Sequence, residues 1–536
     1  MKPLIEVARD NVTRSVFMLL ICATISLNAE NKSGFVTNVE TPTEFDIGGN
    51  HVVLSDTTEC EVETLDEEIV LKRNIYDGVR AHMHLVPRDD LVPTSLISTP
   101  CKGLRVHVGT RITLAGELSA TGVLTARNAV KYIVRNHKIL SILQNTITLR
   151  GGAIIEETPD VHYSTQGWTG SIWLDGYPMS IGPKTNLSGA PADSKLLYGF
   201  SGFTRHPRFQ VEPSSACASH SVSAGLFRPN IWAMYEGAHA TNGNIIATQL
   251  CLWTNEINSD GTNKGNKKKF LRVNSPNYQL QIRGSIEMPH KKHLDIIADQ
   301  WLQDWLSRLG WEIVPQSQKA LPDSDPAKIH FHFYVIHGPD STLQYVGDLT
   351  KGRIYGMKRP GFDDAAIAMP DGLVVVRDSS LARIDNTAQL AAILSYAVTF
   401  TLQKQASVRY YSVGHLGEGY GPSFTPYALT VLQDEQLLRI GIRQMYLAGY
   451  DIREAPYAWA VAQGKPVNNP VINSKHPDQE IPWYAAYAFN YISQYYKDVD
   501  YSKLKRGETE YQQFLQELRK ADPEAFATAQ QKRAQK

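Results

Sequence analysis

The chain has 536 residues, with 54 lysine and arginine residues against 54 aspartate and glutamate residues, so its formal net charge is zero. A balanced charge excludes the cationic surface by which proteins bind nucleic acid or anionic membranes without sequence specificity. Because a domain typically contains roughly 100 to 200 residues, the length indicates several domains. We therefore expect a multi-domain protein that does not bind nucleic acid.

The N-terminus has the pattern of a secretory signal. Three basic residues precede the apolar run Ser15–Leu27, and a small residue, Ala29, follows at a position suited to cleavage. The run is shorter than the roughly 20 residues that a membrane-spanning helix needs, and no later segment is apolar for that long. The sequence predicts a signal peptide over residues 1–29 and a secreted or periplasmic protein with no transmembrane span after signal removal.

Removal of the signal leaves four cysteines, and an exported chain meets an oxidising compartment where disulfides persist. Pairing Cys60 with Cys101 and Cys217 with Cys251 keeps each link inside one block of sequence, although four cysteines permit three connectivities and two could be free thiols. None has the close spacing of a thiolate zinc site.

Short β-rich runs separated by Gly, Asn, Asp and Pro turns fill the region from residue 40 to 275. Two stretches, "RITLAGELSATGVLTARNAV" and "WAMYEGAHATNGNIIATQLCLW", are alike, and "FDIGGNHVVLSDTT" is similar to "IWLDGYPMSIGPKT". In the first match, three residues recur at a constant spacing: Gly116, Gly122 and Ala126 correspond to Gly237, Gly243 and Ala247. We interpret residues 30–150 and 151–275 as two copies of a small β-barrel or sandwich with no catalytic cluster.

After residue 285 the hydrophobic period changes to that of helices, and we assign a mainly helical domain to residues 276–500. "HLDIIADQWLQDWLSRLGWEIV" predicts a helix with Leu294, Ile297, Trp301, Trp305 and Leu309 along one face, ended by Gly310. "KIHFHFYVIHG" and "LVVVRDSSL" predict strands. A helix with Asn386 as its N-cap and Gln389 closing a capping box follows, and residues 501–536 predict a charged, solvated helical tail.

The segment "AIAMPDGLVVVRDSSLARIDNTAQLAAIL" is similar to that of the HtpX-like and BepA-like gluzincin metallopeptidases, whose members carry an Asn-Ala-Phe-x-x-Pro-Gly-Gly loop, a strand and a Leu-Ala-x-x-Leu-x-His-Glu helix. "DEQLLRIGIRQMYLAGYD" resembles the Glu-x-x-Ala-Asp-x-x-Gly helix of the same family. The resemblance covers residues 290–480. It implies an α+β protein in which two N-terminal all-β modules precede a gluzincin-like peptidase domain.

Zinc in this family is held by two histidines one helical turn apart, and a glutamate beside the first takes a proton from the bound water. In the matching register this chain has Tyr396, Ala397 and Phe400. The position of the third ligand falls at Asp434, and the aspartate that braces the site becomes Leu438. The resemblance therefore implies a domain without its metal ligands and general base, with no cofactor.

An alternative is an active peptidase that holds zinc with other residues. The candidates are His330 and His332 on one face of a strand, His290 and His293 before a helix, and His415 in a glycine-rich loop. His476, in a His-Pro pair that resembles a loop near the family's cleft, is a further residue of interest.

The retained parts of the domain favour binding over catalysis. In active relatives the strand equivalent to Gly372, Leu373, Val374, Val375 and Val376 presents an edge to which a peptide can add as a further strand. We expect a catalytically inactive protein that binds a peptide or protein segment of the cell envelope. An active zinc endopeptidase and a purely structural envelope protein are the alternatives.

Overall fold

The computed structural model describes most of the β-rich modules and the helical region. The described residues are 29–47, 50–55, 58–65, 95–103, 106–119, 123–126, 130–135, 149–190, 222–240, 244–256, 279–280, 285–288, 292–325, 327–337, 365–368, 372–403, 405, 425–462 and 483–534. The predicted signal peptide up to residue 28, Cys217, His290, His415 and His476 lie outside them.

The first sheet contains eight strands: β1 (Ala29–Thr41), β2 (Glu44–Ile47), β3 (Asn50–Val53), β4 (Glu59–Leu65), β5 (Ser95–Pro100), β6 (Arg111–Leu118), β7 (Val123–Ala126) and β8 (Val130–Arg135). Their order is β1-β2-β3-β7-β6-β8-β4-β5, and β1 also pairs with β6, which closes five strands into a barrel. Apolar side chains, including Phe45, Val52 and Leu124, fill its core. The predicted disulfide between Cys60 and Cys101 is confirmed.

The second sheet contains seven strands: β9 (Leu149–Ile154), β10 (Asp160–Ser164), β11 (Gly167–Leu174), β12 (Tyr177–Ile181), β13 (Asn186–Ala190), β14 (Ile231–His239) and β15 (Ile245–Glu256). Their order is β10-β11-β12-β15-β14-β9, with β13 also paired to β15. Cys251 in β15 is disulfide-bonded, and its partner lies outside the described residues.

The strands of the first sequence match are paired alike in the two modules. Gly116 in β6 lies opposite Ala126 in β7, and Gly237 in β14 lies opposite Ala247 in β15. A Cβ atom on Gly116 would lie 2.6 Å from a carbonyl oxygen of the neighbouring strand, and one on Gly237 would lie 2.8 Å from the corresponding oxygen. Both repeats therefore need glycine where the two strands approach most closely.

The strands of the second sequence match are also paired alike. Val52 in β3 pairs in parallel with Leu124, and Met179 in β12 pairs in parallel with Ile245. The turn after each strand is closed by a threonine hydroxyl that accepts from a backbone N–H three residues earlier, as Thr185 does from Gly182. At the matched stretches the two modules share strand pairing, register and turn chemistry, although the full strand orders of the two sheets differ.

The third sheet has the order β16-β17-β18-β19-β21-β20. Its strands are β16 (Gln279–Leu280), β17 (Ser285–Met288), β18 (Lys292–Ile296), β19 (His332–His337), β20 (Ala366–Ala368) and β21 (Leu373–Arg377). The α-helices are α1 (Gln300–Ile313), α2 (Gln316–Lys319), α3 (Asp378–Leu381), α4 (Thr387–Leu402), α5 (Thr425–Leu447), α6 (Ala455–Ala462), α7 (Trp483–Tyr495), α8 (Glu508–Ala521) and α9 (Pro523–Ala534). In coarse terms the fold is α+β, as expected.

The predicted start and end of the first helix are wrong. Leu294 lies in strand β18, and α1 begins only after Asp299, whose side chain accepts from the N–H of Leu302 at 3.1 Å. The helix does not end at Gly310 but continues to Ile313. The missing side chain of Gly310 instead lets α1 lie directly on the ring of Phe333. The apolar spacing that looked like one helix is therefore shared by a strand and a helix.

Helix α4 is the centre of the helical region. Asn386 caps it by accepting from the N–H of Gln389 at 2.9 Å, as predicted, and the Gln389 side chain accepts in return from Asp385 N–H rather than from Asn386. Every residue of α4 except Phe400 is buried. A helix that is buried on all sides needs packing partners on all sides.

The C-terminal segment is helical, but it is not a solvated tail. Helix α8 buries Tyr511, Phe514 and Leu518, and the Phe514 ring lies 4.4 Å from that of Trp305 in α1. The Tyr511 hydroxyl donates to the Leu381 carbonyl at 2.7 Å. The apolar face of α8 was hidden in the sequence by its many charged residues.

The first sheet forms one compact unit, and the second and third sheets with the helices form another. The second β-module therefore belongs to the same unit as the helical region. Within the described part of the chain, no helix is both long and apolar enough to cross a bilayer.

Candidate functional site

The two helices that carry the residues matched to the peptidase motifs lie side by side. Gly441 of α5 faces Ser395 and Tyr396 of α4, and a Cβ atom at Gly441 would lie 3.3 Å from the Tyr396 backbone nitrogen. This close approach brings Asp434, which lies two turns before Gly441 on α5, opposite the side chain of Tyr396. The resemblance placed these two residues at one site, and the structure brings them together.

The hydroxyl of Tyr396 donates a hydrogen bond to Oδ1 of Asp434 at 2.7 Å. Both residues are buried. A hydrogen bond to a carboxylate is short and stronger than one between neutral groups. Tyr396 and Asp434, the residues matched to the first and third ligands of the family motif, are thus joined directly by a hydrogen bond.

Aromatic side chains fill the space around this bond. The rings of Tyr396 and Trp459 meet edge-on with centroids 5.4 Å apart, and Trp459 meets Tyr484 at 6.1 Å. Ala397, at the position of the general base, is buried, and Phe400 is half-buried one turn further along α4. The described residues here do not fit a zinc ion, because among them the pair offers a single carboxylate and no imidazole.

The alternative histidine ligands do not converge among the described residues. His330 and His332 are exposed, while Phe331 and Phe333 between and beside them are buried. This alternation is that of an ordinary half-buried strand. His293 lies in β18.

The strand that we expected to present an edge to a peptide is an inner strand. Leu373 to Arg377 pair in parallel with β19 on one side and antiparallel with β20 on the other. Gly372, at φ +103°, precedes the strand, and Leu373, Val374, Val375 and Val376 are buried. The expectation of an edge at this strand is therefore wrong, and in the described sheet the strand beyond it is β20.

A cluster that the sequence did not suggest lies where β19, β21 and the C-terminal helices meet. Nδ1 of His337 lies 2.8 Å from Oδ2 of Asp378 and is also in contact with Oδ2 of Asp522. Burial, and then the neighbouring Asp522, raise the pKa of Asp378 to about 6. Burial lowers the pKa of His337, but hydrogen bonds and charge from the two carboxyl groups outweigh it and raise that pKa above its ordinary value.

A second unforeseen cluster joins the second β-module to α5. Asp175 and Gly176 form the two-residue turn between β11 and β12, both at positive φ, as a type I′ hairpin requires. Nη2 of Arg439 lies 2.6 Å from Oδ1 of Asp175, and Nε donates to the Asp175 carbonyl at 2.8 Å. Tyr235 donates to the other carboxylate oxygen at 2.8 Å.

Glu156 and Glu157, which follow β9, also contact the helical region. Gln403, which directly follows α4, donates to Oε1 of Glu156 at 2.8 Å, and Gln444 of α5 donates to Oε2 at 2.5 Å. Burial of the Glu156 carboxyl raises its pKa to about 7 despite these donors. Next to it, Arg443 pairs with Glu157 at 2.7 Å.

These clusters could not be found by local pattern, because their members lie far apart in the chain. The one local signal is "LDGY", whose Asp-Gly pair predicts a tight hairpin but not its partner on α5. No known protein-family model matches the chain, and a comparison with curated proteins finds no match.

Proposed function

We propose that this chain is an exported, catalytically inactive relative of the HtpX-like and BepA-like gluzincin peptidases, and that it binds an extended peptide or protein segment of the cell envelope. The disulfide between Cys60 and Cys101 supports export, because such bonds persist in oxidising compartments. The pairing of two matched motifs on adjacent helices supports the relationship.

The observation that carries the loss of catalysis is the hydrogen bond from Tyr396 to Asp434. Hydrolysis by this family needs a metal-bound water and a carboxylate base beside the first ligand. Tyr396 supplies an aromatic ring and a hydroxyl in place of an imidazole, and Ala397 has no group that takes a proton. The hydrogen-bonded pair of Tyr396 and Asp434 keeps the fold packed at this point but supplies neither a metal-bound water nor a base.

We place the bound segment beside β20 rather than beside β21. Ala366, Ile367 and Ala368 pair with β21 through one side of their backbone, and β20 is the last strand of the described sheet. Addition of a strand uses backbone N–H and C=O groups, so it requires neither metal nor a charged pocket. All three residues of β20 are buried, which fixes the strand in the extended form that a ladder needs.

The first experiment screens fluorescent peptides that tile envelope proteins by polarisation, with the full mature chain. Each binder is then made in two forms, N-methylated at odd or at even positions. Successive backbone N–H groups of a strand point to opposite sides, so only one of the two sets should abolish binding. Mass spectrometry of the same mixtures should find the peptides intact.

Three results would contradict the proposal. Cleavage that a chelator stops would indicate an active metallopeptidase with relocated ligands. Equal loss of binding from both N-methylated sets would exclude strand addition. No binder in the screen, with correctly folded protein, would favour a purely structural envelope protein.

A further inference from the structure

The cluster of His337, Asp378 and Asp522 joins three separate parts of the fold. His337 ends β19, Asp378 begins α3 directly after β21, and Asp522 lies between α8 and α9. One ligand atom from each residue lies within 4.8 Å of the other two. Convergence of an imidazole and two carboxylates from three elements is the arrangement that a metal ion uses.

The charges of the cluster do not balance within the part of the chain that the structure describes. Asp378 is buried, and the side chain of Asp522 is 11% exposed. Their ion-pair partner is His337, and no lysine or arginine among the described residues pairs with either carboxylate. Two carboxylates in contact repel each other unless a proton or cation lies between them. A single imidazolium neutralises only one of them.

We propose that His337, Asp378 and Asp522 bind a divalent transition-metal ion of the zinc type. One nitrogen and two carboxylate oxygens are donors that zinc accepts, with water at the remaining position, whereas magnesium and calcium prefer oxygen donors alone. The His337 side chain is 55% exposed, so the ion can reach the cluster from solvent.

The geometry needs only a small adjustment. Donor atoms about 2.0–2.1 Å from a tetrahedral ion lie about 3.3 Å from one another. The 2.8 Å separation of His337 Nδ1 and Asp378 Oδ2, and the shorter contact of the same nitrogen with Asp522 Oδ2, must therefore both open. His337 is the last described residue of β19 and is exposed, so its ring is the part of the cluster that can move. The bound ion would clamp the junction of α8 and α9 to the ends of β19 and α3.

The test is calorimetric titration of the full mature chain with zinc chloride after chelator treatment. We expect one zinc per chain and a melting temperature that rises with zinc. Asp522→Asn should weaken zinc binding by at least the roughly 10- to 100-fold that loss of even an outer partner costs a metal site. This variant keeps its fold, because Asp522 also caps α9 by accepting from Ala525 N–H at 2.9 Å, and asparagine caps equally well.

The matched control is Asp160→Asn. Asp160 pairs with His162 at 2.6 Å, but both are exposed and no second carboxylate joins them in that pair. This variant should bind zinc like the unaltered protein. Equal affinities in the Asp522 and Asp160 variants, or no zinc uptake by the folded unaltered protein, would overturn the inference.

A third variant, Asp434→Asn, separates this inference from the proposed function. If zinc binding survives in Asp434→Asn and is lost in Asp522→Asn, the ion lies in the new cluster and the loss of the family's metal site stands. If zinc binding is lost in Asp434→Asn alone, the ion lies at the family's position, and both the cluster and the inactive-peptidase proposal fail. Failure of the peptide screen leaves the zinc result unaffected.

Discussion

Replacing Asp175 by asparagine removes a buried negative charge but keeps the turn in which it lies, because asparagine also accepts positive φ. The side chains of Asp175 and Arg439 are 6% and 7% exposed, and their closest atoms are 2.6 Å apart. Removing one partner of a buried pair leaves the other charge without compensation, which costs about 3–5 kcal/mol. We expect Asp175→Asn to lower the free energy of unfolding of the helical unit by this amount.

The assay is urea unfolding followed by tryptophan fluorescence. All nine tryptophans lie in the unit that contains the second module and the helices, so the signal reports on that unit alone. Glu517→Gln is the control. Glu517 pairs with Lys520 at a similar distance, 2.7 Å, but the lysine side chain is 70% exposed, so its loss should cost no more than about 0.5 kcal/mol.

Arg439→Met completes a double-mutant cycle. If the ion pair is responsible, the second substitution costs at least about 1 kcal/mol less when the first is already present. Equal effects of Asp175→Asn and Glu517→Gln, or additive effects of the two buried substitutions, would refute the reasoning that burial makes this pair matter.

Three further outcomes are expected. The raised pKa of Glu156 means that the folded state binds more protons than the unfolded state between pH 4.5 and about 7. The stability of the unaltered protein relative to Glu156→Gln should therefore fall as pH rises through that window, by about 2–3 kcal/mol in urea unfolding, and level off above it. Tyr396→Phe removes a charge-assisted hydrogen bond to Asp434 and should cost about 1.5–3 kcal/mol in the same assay, whereas an unchanged midpoint would mean that the bond contributes nothing. Gly237→Ala forces a Cβ to within 2.4 Å of Ile245 and should lower the tryptophan-detected midpoint, while Gly116→Ala should lower only a transition seen by circular dichroism.

The sequence predicted those parts of the fold that depend on local or repeated chemistry. The recurrence of Gly116 and Gly237 marks a close strand approach, which only glycine permits, and the cap at Asn386 needs a side chain and an N–H three residues apart. Leu294 was misplaced because a strand and the helix after it can share an apolar spacing when only one turn separates them.

The sequence could not predict contacts between distant residues. His337, Asp378 and Asp522 meet only because β19 and β21 are parallel neighbours and α8 returns across their ends. At the motif-matched site, sequence and structure agree on which residues adjoin. The hydrogen bond from Tyr396 to Asp434 depends on the distance between α4 and α5, which Gly441 keeps short.

The two β-modules share a frame but not the residues that attach one of them to the helices. Asp175 bonds to both Arg439 and Tyr235, and in the sequence match Asp175 and Tyr235 correspond to Gly48 and Leu114 of the first repeat. Neither glycine nor leucine offers a side-chain oxygen to a guanidinium, so a buried arginine at that position of the first repeat would lack a carboxylate partner.

The second module is therefore specialised as a support for α5, the helix that also carries Asp434. Because Gly176 admits the backbone of Arg439 and Ile440 so closely that a Cβ would lie 2.5 Å from Arg439, the turn and the helix fix each other's position. A change in this turn should thus be transmitted to the Tyr396–Asp434 bond.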